Sequence, residues 1–317
     1  MSSAADKQAL ITVLDGGTGR ELKRMGAPFR QPEWSALALI DAPVFVTRVH
    51  QAFIDAGADV ITTNSYALVP FHIGAQRFAQ DGLALARLAG RLARAAADNA
   101  PRRVLVAGSL PPICGSYRAE WFDPAFARPI LSTLVEGLRP WVDHWLAETL
   151  STIEEAELVR EVIGHDGKPL WLSFTLRDGD AVSAIEPRLR SGQSVVDAVA
   201  AAVRLGADSL LFNCSKPEVM GAAVSVAAKS LRRIAHSPAP GIGVYANAFT
   251  PRSMEVKANA NVDLNDMRSD LTPADYLVWV NDWIERGARI VGGCCGIGPE
   301  HIRAIRDSIT RRAPAKG

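Results

Sequence analysis

Cysteine is scarce, with four residues in a chain of 317. That density excludes a disulfide scaffold, and clustered thiols in such a chain point to metal binding or catalysis in a reducing compartment. Charge of one sign is equally lacking: 35 basic residues stand against 34 acidic ones, a net charge of +1. No polyelectrolyte attraction for nucleic acid is available, and the arginines of RLARAAADNAPRR read as the solvated face of an Ala/Leu helix. No apolar run approaches the ~18 residues of a membrane span, and the opening MSSAADKQAL has no basic region ahead of an apolar core. A cytoplasmic protein with neither nucleic-acid nor membrane partner is expected. Phosphate cradles are missing too, since there is no Walker loop and DGGTG fails the GxGxxG pattern. The six histidines show no HExxH spacing, so His50, His144 and His301 are expected at the surface or in packing.

What is present is apolar material in a regular rhythm. At 48% hydrophobic residues the chain can bury a large core. Eight short β-rich runs recur: 11–15, 58–64, 103–109, 144–149, 170–175, 208–214, 241–247 and 288–294. Stretches of helical periodicity separate them, among them VFVTRVHQAFIDAG, IEEAELVREVIG, SVVDAVAAAVRLG and ADYLVWVNDWIERG. Alternation of this kind predicts a parallel sheet. DAGADV, RLGADS and ERGARI each end a helix at a glycine, Gly57, Gly206 or Gly287, suited to the left-handed position that stops a helix. Helix-to-strand joints are therefore short, whereas the strand-to-helix connections 65–75, 110–127, 176–192 and 248–272 are long. Elaborate loops on one end of eight units predict a single-domain (β/α)8 barrel over residues 11–312, with tails at 1–10 and 313–317 and the site at the C-terminal strand ends. A doubly wound open sheet is the alternative.

On that reading the rim carries Asp15, Gly16 and Gly17, then Asn64, Ser65 and Tyr66, Ser109, Glu148 and Thr149, Thr175, Asn213 and Cys214, Asn247, and lastly Cys294 and Cys295. Three of the four cysteines fall there, from strands six and eight. Three thiolates suit Zn²⁺, which is tetrahedral, favours sulfur and in catalytic sites keeps one position open. Gly292, Gly293 and Gly296 are expected to turn the backbone sharply enough for both neighbours of the pair to reach one metal. A strained vicinal disulfide, or simple packing, is the competing reading. Cys114 is expected to be a free loop thiol.

Glu148 lies in the apolar context HWLAET, where a carboxylate is costly unless paired. It is either a partner for a substrate ammonium group or half of an internal salt bridge. Asp15 before two glycines marks either a close backbone approach, with amides free for a carboxylate, or an ordinary turn. Tyr66, Tyr117 and Trp121 are aromatic groups suited to a cation or to closing the barrel mouth.

DGGTGREL, TNSY, the Glu of LAET, SFTLRDG, FNC and GGCCG followed by GPEHI together resemble the homocysteine S-methyltransferase family, from about residue 11 to 312. The resemblance implies a zinc-containing barrel that methylates L-homocysteine to methionine from a cationic methyl donor. It places the zinc ligands on Cys214, Cys294 and Cys295, the acid for the homocysteine amino group on Glu148, and amino-acid binding on Asp15 and Gly16. Asn64, Tyr66, Asn213 and Asn247 are further expected substrate contacts, although VYANAFT departs from the family's usual Pro and Gly around the Asn. The short chain favours a sulfonium user of the S-methylmethionine or S-adenosylmethionine type, working as a monomer or small homo-oligomer. Alternatives are betaine or another donor, another thiol or selenol acceptor, and a zinc-thiol subunit that serves a corrinoid partner.

Overall fold

The structure, a computed structural model, describes residues 11–179, 182–234, 238–249 and 267–312. Both predicted tails lie outside these residues, as do positions 250–266 of the predicted loop 248–272. All eight predicted strands are present: β1 (Thr12–Val13), β2 (Val60–Thr62), β3 (Leu105–Leu110), β4 (His144–Leu150), β5 (Leu170–Phe174), β6 (Ser209–Asn213), β7 (Gly241–Tyr245) and β8 (Ile290–Val291). They pair in parallel in the order β1-β8-β7-β6-β5-β4-β3-β2. A parallel bridge between Leu14 and Val60 joins the two ends, with Asp59 N–H donating to the Val13 carbonyl at 2.7 Å and Asp15 N–H to the Val60 carbonyl at 3.0 Å. The sheet is thereby closed, and the open doubly wound alternative falls.

Among the described residues, eight helices form the outer layer: α3 (Pro43–Ala56), α5 (Ala75–Asp98), α6 (Pro124–Leu138), α7 (Ile153–Ile163), α8 (Val195–Arg204), α9 (Pro217–Leu231), α10 (Pro273–Arg286) and α11 (Pro299–Arg312). Three short helices, α1 (Thr18–Arg24), α2 (Ser35–Asp41) and α4 (Pro70–Ile73), decorate the loops after β1 and β2. Gly57, Gly206 and Gly287 end their helices with φ of 105°, 63° and 125°, the left-handed geometry expected of them. At the other helix ends, Asp123, Thr152, Ser194 and Thr272 accept hydrogen bonds from first-turn amides of α6, α7, α8 and α10. Such caps satisfy donors that the helix itself cannot.

Two apolar clusters make the core. The larger lies between barrel and helices. The smaller, Leu14, Val60, Ala107, Leu146, Leu211, Tyr245 and Ile290, with Trp171 packed against it, takes one residue from each strand region and fills the lumen. Side chains alternate along a strand, so the lumen-facing positions two residues further on, Thr62, Ser109, Glu148, Ser173 and Asn213, form a polar layer above the apolar plug. Function is raised on that layer.

His50 and His144 are 0% and 2% exposed, and His301 is 6% exposed; all three are packing residues. Neither ring nitrogen of His50 has a hydrogen-bond partner among the described residues. Burial pushes the His50 and His144 imidazoles down from 6.5 to about 4. The unfolded chain therefore binds more protons between those two values, and stability contributed by the neutral rings is fully present above 6.5 and lost as pH falls towards 4. Each ring is expected to cost about 2 kcal/mol at pH 5. Urea midpoints measured from pH 7 to 4.5 check this, and His50→Leu should flatten the slope.

Candidate active site

Both sulfur-bearing segments hang from β7. Cys214 N–H donates to the Tyr245 carbonyl at 3.2 Å, Cys294 N–H to the Ala246 carbonyl at 2.9 Å, and Ala248 N–H to the Cys295 carbonyl at 2.8 Å. The strand between β6 and β8 thus holds the two ends in fixed register. The Cys214 and Cys294 sulfurs lie 2.7 Å apart, and all three Sγ atoms fall within 4.8 Å of one another. The vicinal pair carries free thiols.

Gly292 and Gly293 serve close packing rather than a sharp turn. A Cβ on Gly292 would lie 2.5 Å from Leu14 Cβ, and one on Gly293 2.1 Å from Ile297 Cγ2. Of the three flanking glycines, Gly296 has the left-handed φ, 87°. Gly17 presses on the pair from β1: its Cβ would meet the Cys294 carbonyl at 2.6 Å and Cys295 Cα at 3.0 Å. Backbone cannot yield as a flexible side chain does, so Gly17→Ala is expected to splay the cysteines and lower retained metal severalfold, read by elemental analysis of protein dialysed beside wild type.

The carboxylates sit in the same layer. Asp15 is 4% exposed and accepts from Thr62 N–H at 2.7 Å and the Thr62 hydroxyl at 2.9 Å. Glu148 accepts from Ser109 Oγ, and from the Tyr245 hydroxyl at 3.3 Å. Neither acid has an ion-pair partner among the described residues, so Glu148 is not half of an internal salt bridge. Burial pushes both carboxyls up to about 7, and for Glu148 the Asp15 charge adds to the effect. Two buried acids facing one space want a cation there. Gly17 N–H is engaged by the Ile297 carbonyl at 2.9 Å.

The other expected contacts divide. The Asn213 amide makes three hydrogen bonds: Oδ1 accepts from Thr149 N–H at 2.9 Å and Ser173 Oγ at 2.8 Å, and Nδ2 donates to Thr149 Oγ1 at 2.9 Å. Thr149 has φ of 61° at the register shift between β4 and β5. Asn213 therefore clamps the strained turn that aims Glu148. Asn64 Nδ2 donates to the Ser35 carbonyl at 3.0 Å, tying β2 to the excursion after β1. Asn247 N–H donates to the Ser215 carbonyl at 3.1 Å, just past Cys214. Tyr66 Oη pairs with Ser116 Oγ at 2.6 Å, pinning the loop after β3. That loop brings Tyr117, whose hydroxyl donates to Cys214 Sγ at 3.1 Å, and Trp121, which faces the Arg118 guanidinium at 4.7 Å. Cys114 is a half-buried loop thiol that accepts from Asp123 N–H at 3.4 Å.

The thiols titrate as one unit. Cys295 is held well below the ordinary thiol range by its hydrogen bonds with Cys214 and Cys294, with the Arg20 guanidinium adding to this against burial. Cys294 is pushed well up, as the thiol sharing its proton with Cys214 and Cys295. Sequence reasoning missed Arg20, and it missed Ser109, Thr62 and Tyr245 as partners of the two acids. Strand alternation could have found Ser109 and Thr62, which share Glu148's face of the barrel.

A closed (β/α)8 barrel with three thiols and two unpaired acids at its C-terminal rim defines a thiol-centred active site of the barrel-enzyme class. The model of the homocysteine S-methyltransferase family matches residues 12–309, and the chain belongs to that family. It is 30% identical to homocysteine S-methyltransferase 3 of Arabidopsis thaliana, covering 96% of this chain and 91% of the relative. It is 27% identical to a selenocysteine methyltransferase of Astragalus bisulcatus, with coverage of 92% and 90%. The homocysteine methyltransferase MmuM from Escherichia coli, solved in a metallated form, superposes with a TM-score of 0.74 at 28% identity over 96% of this chain and 97% of that one. Among the described residues no helix is long and apolar enough to cross a membrane.

Proposed function

We propose that this homocysteine S-methyltransferase moves a methyl group from a sulfonium donor, S-methylmethionine or S-adenosylmethionine, to the sulfur of L-homocysteine, forming methionine. The observation that carries the reading is the convergence of Cys214, Cys294 and Cys295 beside two buried acids with no ion-pair partner among the described residues. Free thiols fit a reducing, cytoplasmic setting.

Zn²⁺ fits the donor set: Cys214, Cys294 and Cys295 would hold it with three soft sulfur ligands from two segments, within 4.8 Å of one another. When bound, it would supply the positive charge that keeps the acceptor sulfur in its thiolate form at neutral pH. Glu148, with Asp15 beside it, takes the acceptor's ammonium group, and the Gly16 amide faces its carboxylate. Ser109 and Tyr245 fix the Glu148 rotamer, and the Asn213 clamp fixes the backbone behind it. The acceptor sulfur then attacks the donor methyl carbon in line. One S–C bond forms as the donor's breaks, and its electron pair returns to the donor sulfur, which leaves as a neutral thioether. Since no proton moves in that displacement, the chain's contribution is orientation and exclusion of water, which can supply on the order of 7–11 kcal/mol.

Incubating zinc-loaded protein and homocysteine separately with S-methylmethionine, S-adenosylmethionine and betaine tests the reading by methionine formation. Turnover with a sulfonium donor is expected. No methionine from either sulfonium overturns it, and turnover with betaine alone reassigns the donor.

A further inference from the structure

Among the described residues, four other than glycine have left-handed φ: Trp34, Tyr117, Thr149 and Cys214. Thr149 is accounted for by the Asn213 clamp. Tyr117, at 66°, and Cys214, at 53°, are the two ends of a single hydrogen bond, from the phenol to the sulfur at 3.1 Å. Strain at both ends of one contact marks a contact that the surrounding structure enforces.

The enforcement forms a ring. The Arg190 guanidinium lies 4.9 Å from the centroid of the Tyr117 ring and is paired with Asp178 at 2.9 Å, the two side chains being 11% and 14% exposed. Asp178 Oδ2 accepts from Lys216 N–H at 3.2 Å, and the Asp178 carbonyl accepts from Lys216 Nζ at 2.8 Å. Lys216 follows Cys214 by two residues. The loop after β5, the loop after β3 and the end of β6 are thus locked around one sulfur, and Tyr66 pins the neighbouring Ser116.

A sulfonium methyl group does not distinguish one soft sulfur from another. Attack by Cys214 would form a Cys214 S–CH3 bond as the donor's S–C bond breaks, with the electron pair returning to the donor sulfur. The product would be a neutral thioether in place of a thiolate. Accepting a hydrogen bond ties up lone-pair density on sulfur and lowers its nucleophilicity. Resting on the reading that the donor is a sulfonium, we propose that Tyr117 is a positioning residue whose hydroxyl withdraws charge from the Cys214 sulfur, so that methyl goes to the substrate's sulfur and not to the protein's own.

The experiment uses Co²⁺-substituted protein, whose sulfur-to-metal charge-transfer bands report sulfur charge directly. Tyr117→Phe is expected to shift those bands to lower energy, and 3-fluorotyrosine at position 117, a stronger donor, to higher energy. In parallel, zinc-loaded protein is held with S-methylmethionine without homocysteine, and Cys214 methylation is followed by peptide mass spectrometry. A rate roughly tenfold higher is expected in Tyr117→Phe. Unmoved bands in both substituted proteins overturn the hydrogen bond; a shifted band with unchanged Cys214 methylation overturns the protective role. Should Tyr117→Phe fail to fold, the fluorotyrosine protein decides through the same two readouts, with slower methylation expected. If wild type forms no methionine with any sulfonium, the proposed function fails while the band shift still tests the hydrogen bond.

Discussion

Cys294→Ser should lose metal and methyl transfer together. The residue lies 2.7 Å from Cys214 through its sulfur and next to Cys295 in the chain, so its removal breaks the set. A serine hydroxyl is harder than a thiolate and stays protonated at neutral pH, and it cannot replace the third sulfur. Changes to groups that merely orient a ligand cost 10–100-fold in affinity or activity; loss of the ligand itself should exceed roughly 100-fold in both. Metal content by elemental analysis, followed by methionine formation on the same sample, checks this. Full turnover by metal-free Cys294→Ser would sink the thiolate-metal reading. The fold should survive, because the backbone bond from Cys294 N–H to Ala246 does not depend on the side chain.

Glu148→Gln should leave the metal in place and weaken homocysteine binding. The carboxylate contacts Ser109 and Tyr245, and no sulfur ligand is among its hydrogen-bond partners. Gln preserves its shape and removes the charge. Truncating one side of a buried charge pair costs about 2–5 kcal/mol, so a rise in acceptor KM or Kd of about 100-fold is expected, with the larger part in binding rather than in kcat. The pH dependence provides a second signature. Burial raises Glu148 to about 7 before ligand arrives, and the ammonium is held by the ionised form. Homocysteine affinity should therefore rise with pH through that region in wild type, beyond what ionisation of the substrate thiol contributes. Glu148→Gln should lose that excess. Unchanged affinity in the variant would return Glu148 to a structural role.

The parts of this protein that were legible in its sequence are those encoded locally. The eight strands announce themselves as β-rich runs, Gly57, Gly206 and Gly287 stop helices by their own φ, and Cys214, Cys294 and Cys295 follow from knowing where strands six and eight end. The clamps were not legible. Tyr117 reaches Cys214 across 97 positions, and Asn213 reaches Thr149 across 64; both bonds depend on how strands and long loops meet in three dimensions. The hold of Asn213 on Thr149 and Ser173 was not readable beside its expected substrate contact, because polar rim residues share one pattern whether they face a ligand or hold a neighbour. Gly292 and Gly293 misled in the same way, since sequence does not distinguish a glycine that bends from one that makes room. The short helices α1, α2 and α4 lack the length to show a period.

Asp15 stands at the seam where the barrel closes. Its N–H donates to Val60 in β2, and its carbonyl accepts from Gly293 N–H beside the cysteine pair at 3.0 Å. The first strand thus meets the last within reach of the sulfurs, and Asp15 and Gly293, close to opposite ends of the described chain, complete one another. Contacts of such separation form late, after the loop-closure entropy has been overcome. Cys214 alone cannot make the three-sulfur set, which needs β8 in place beside β1 and β7. Zinc uptake during refolding should then track the last kinetic phase, and a protein truncated before β8 should hold no tightly bound metal.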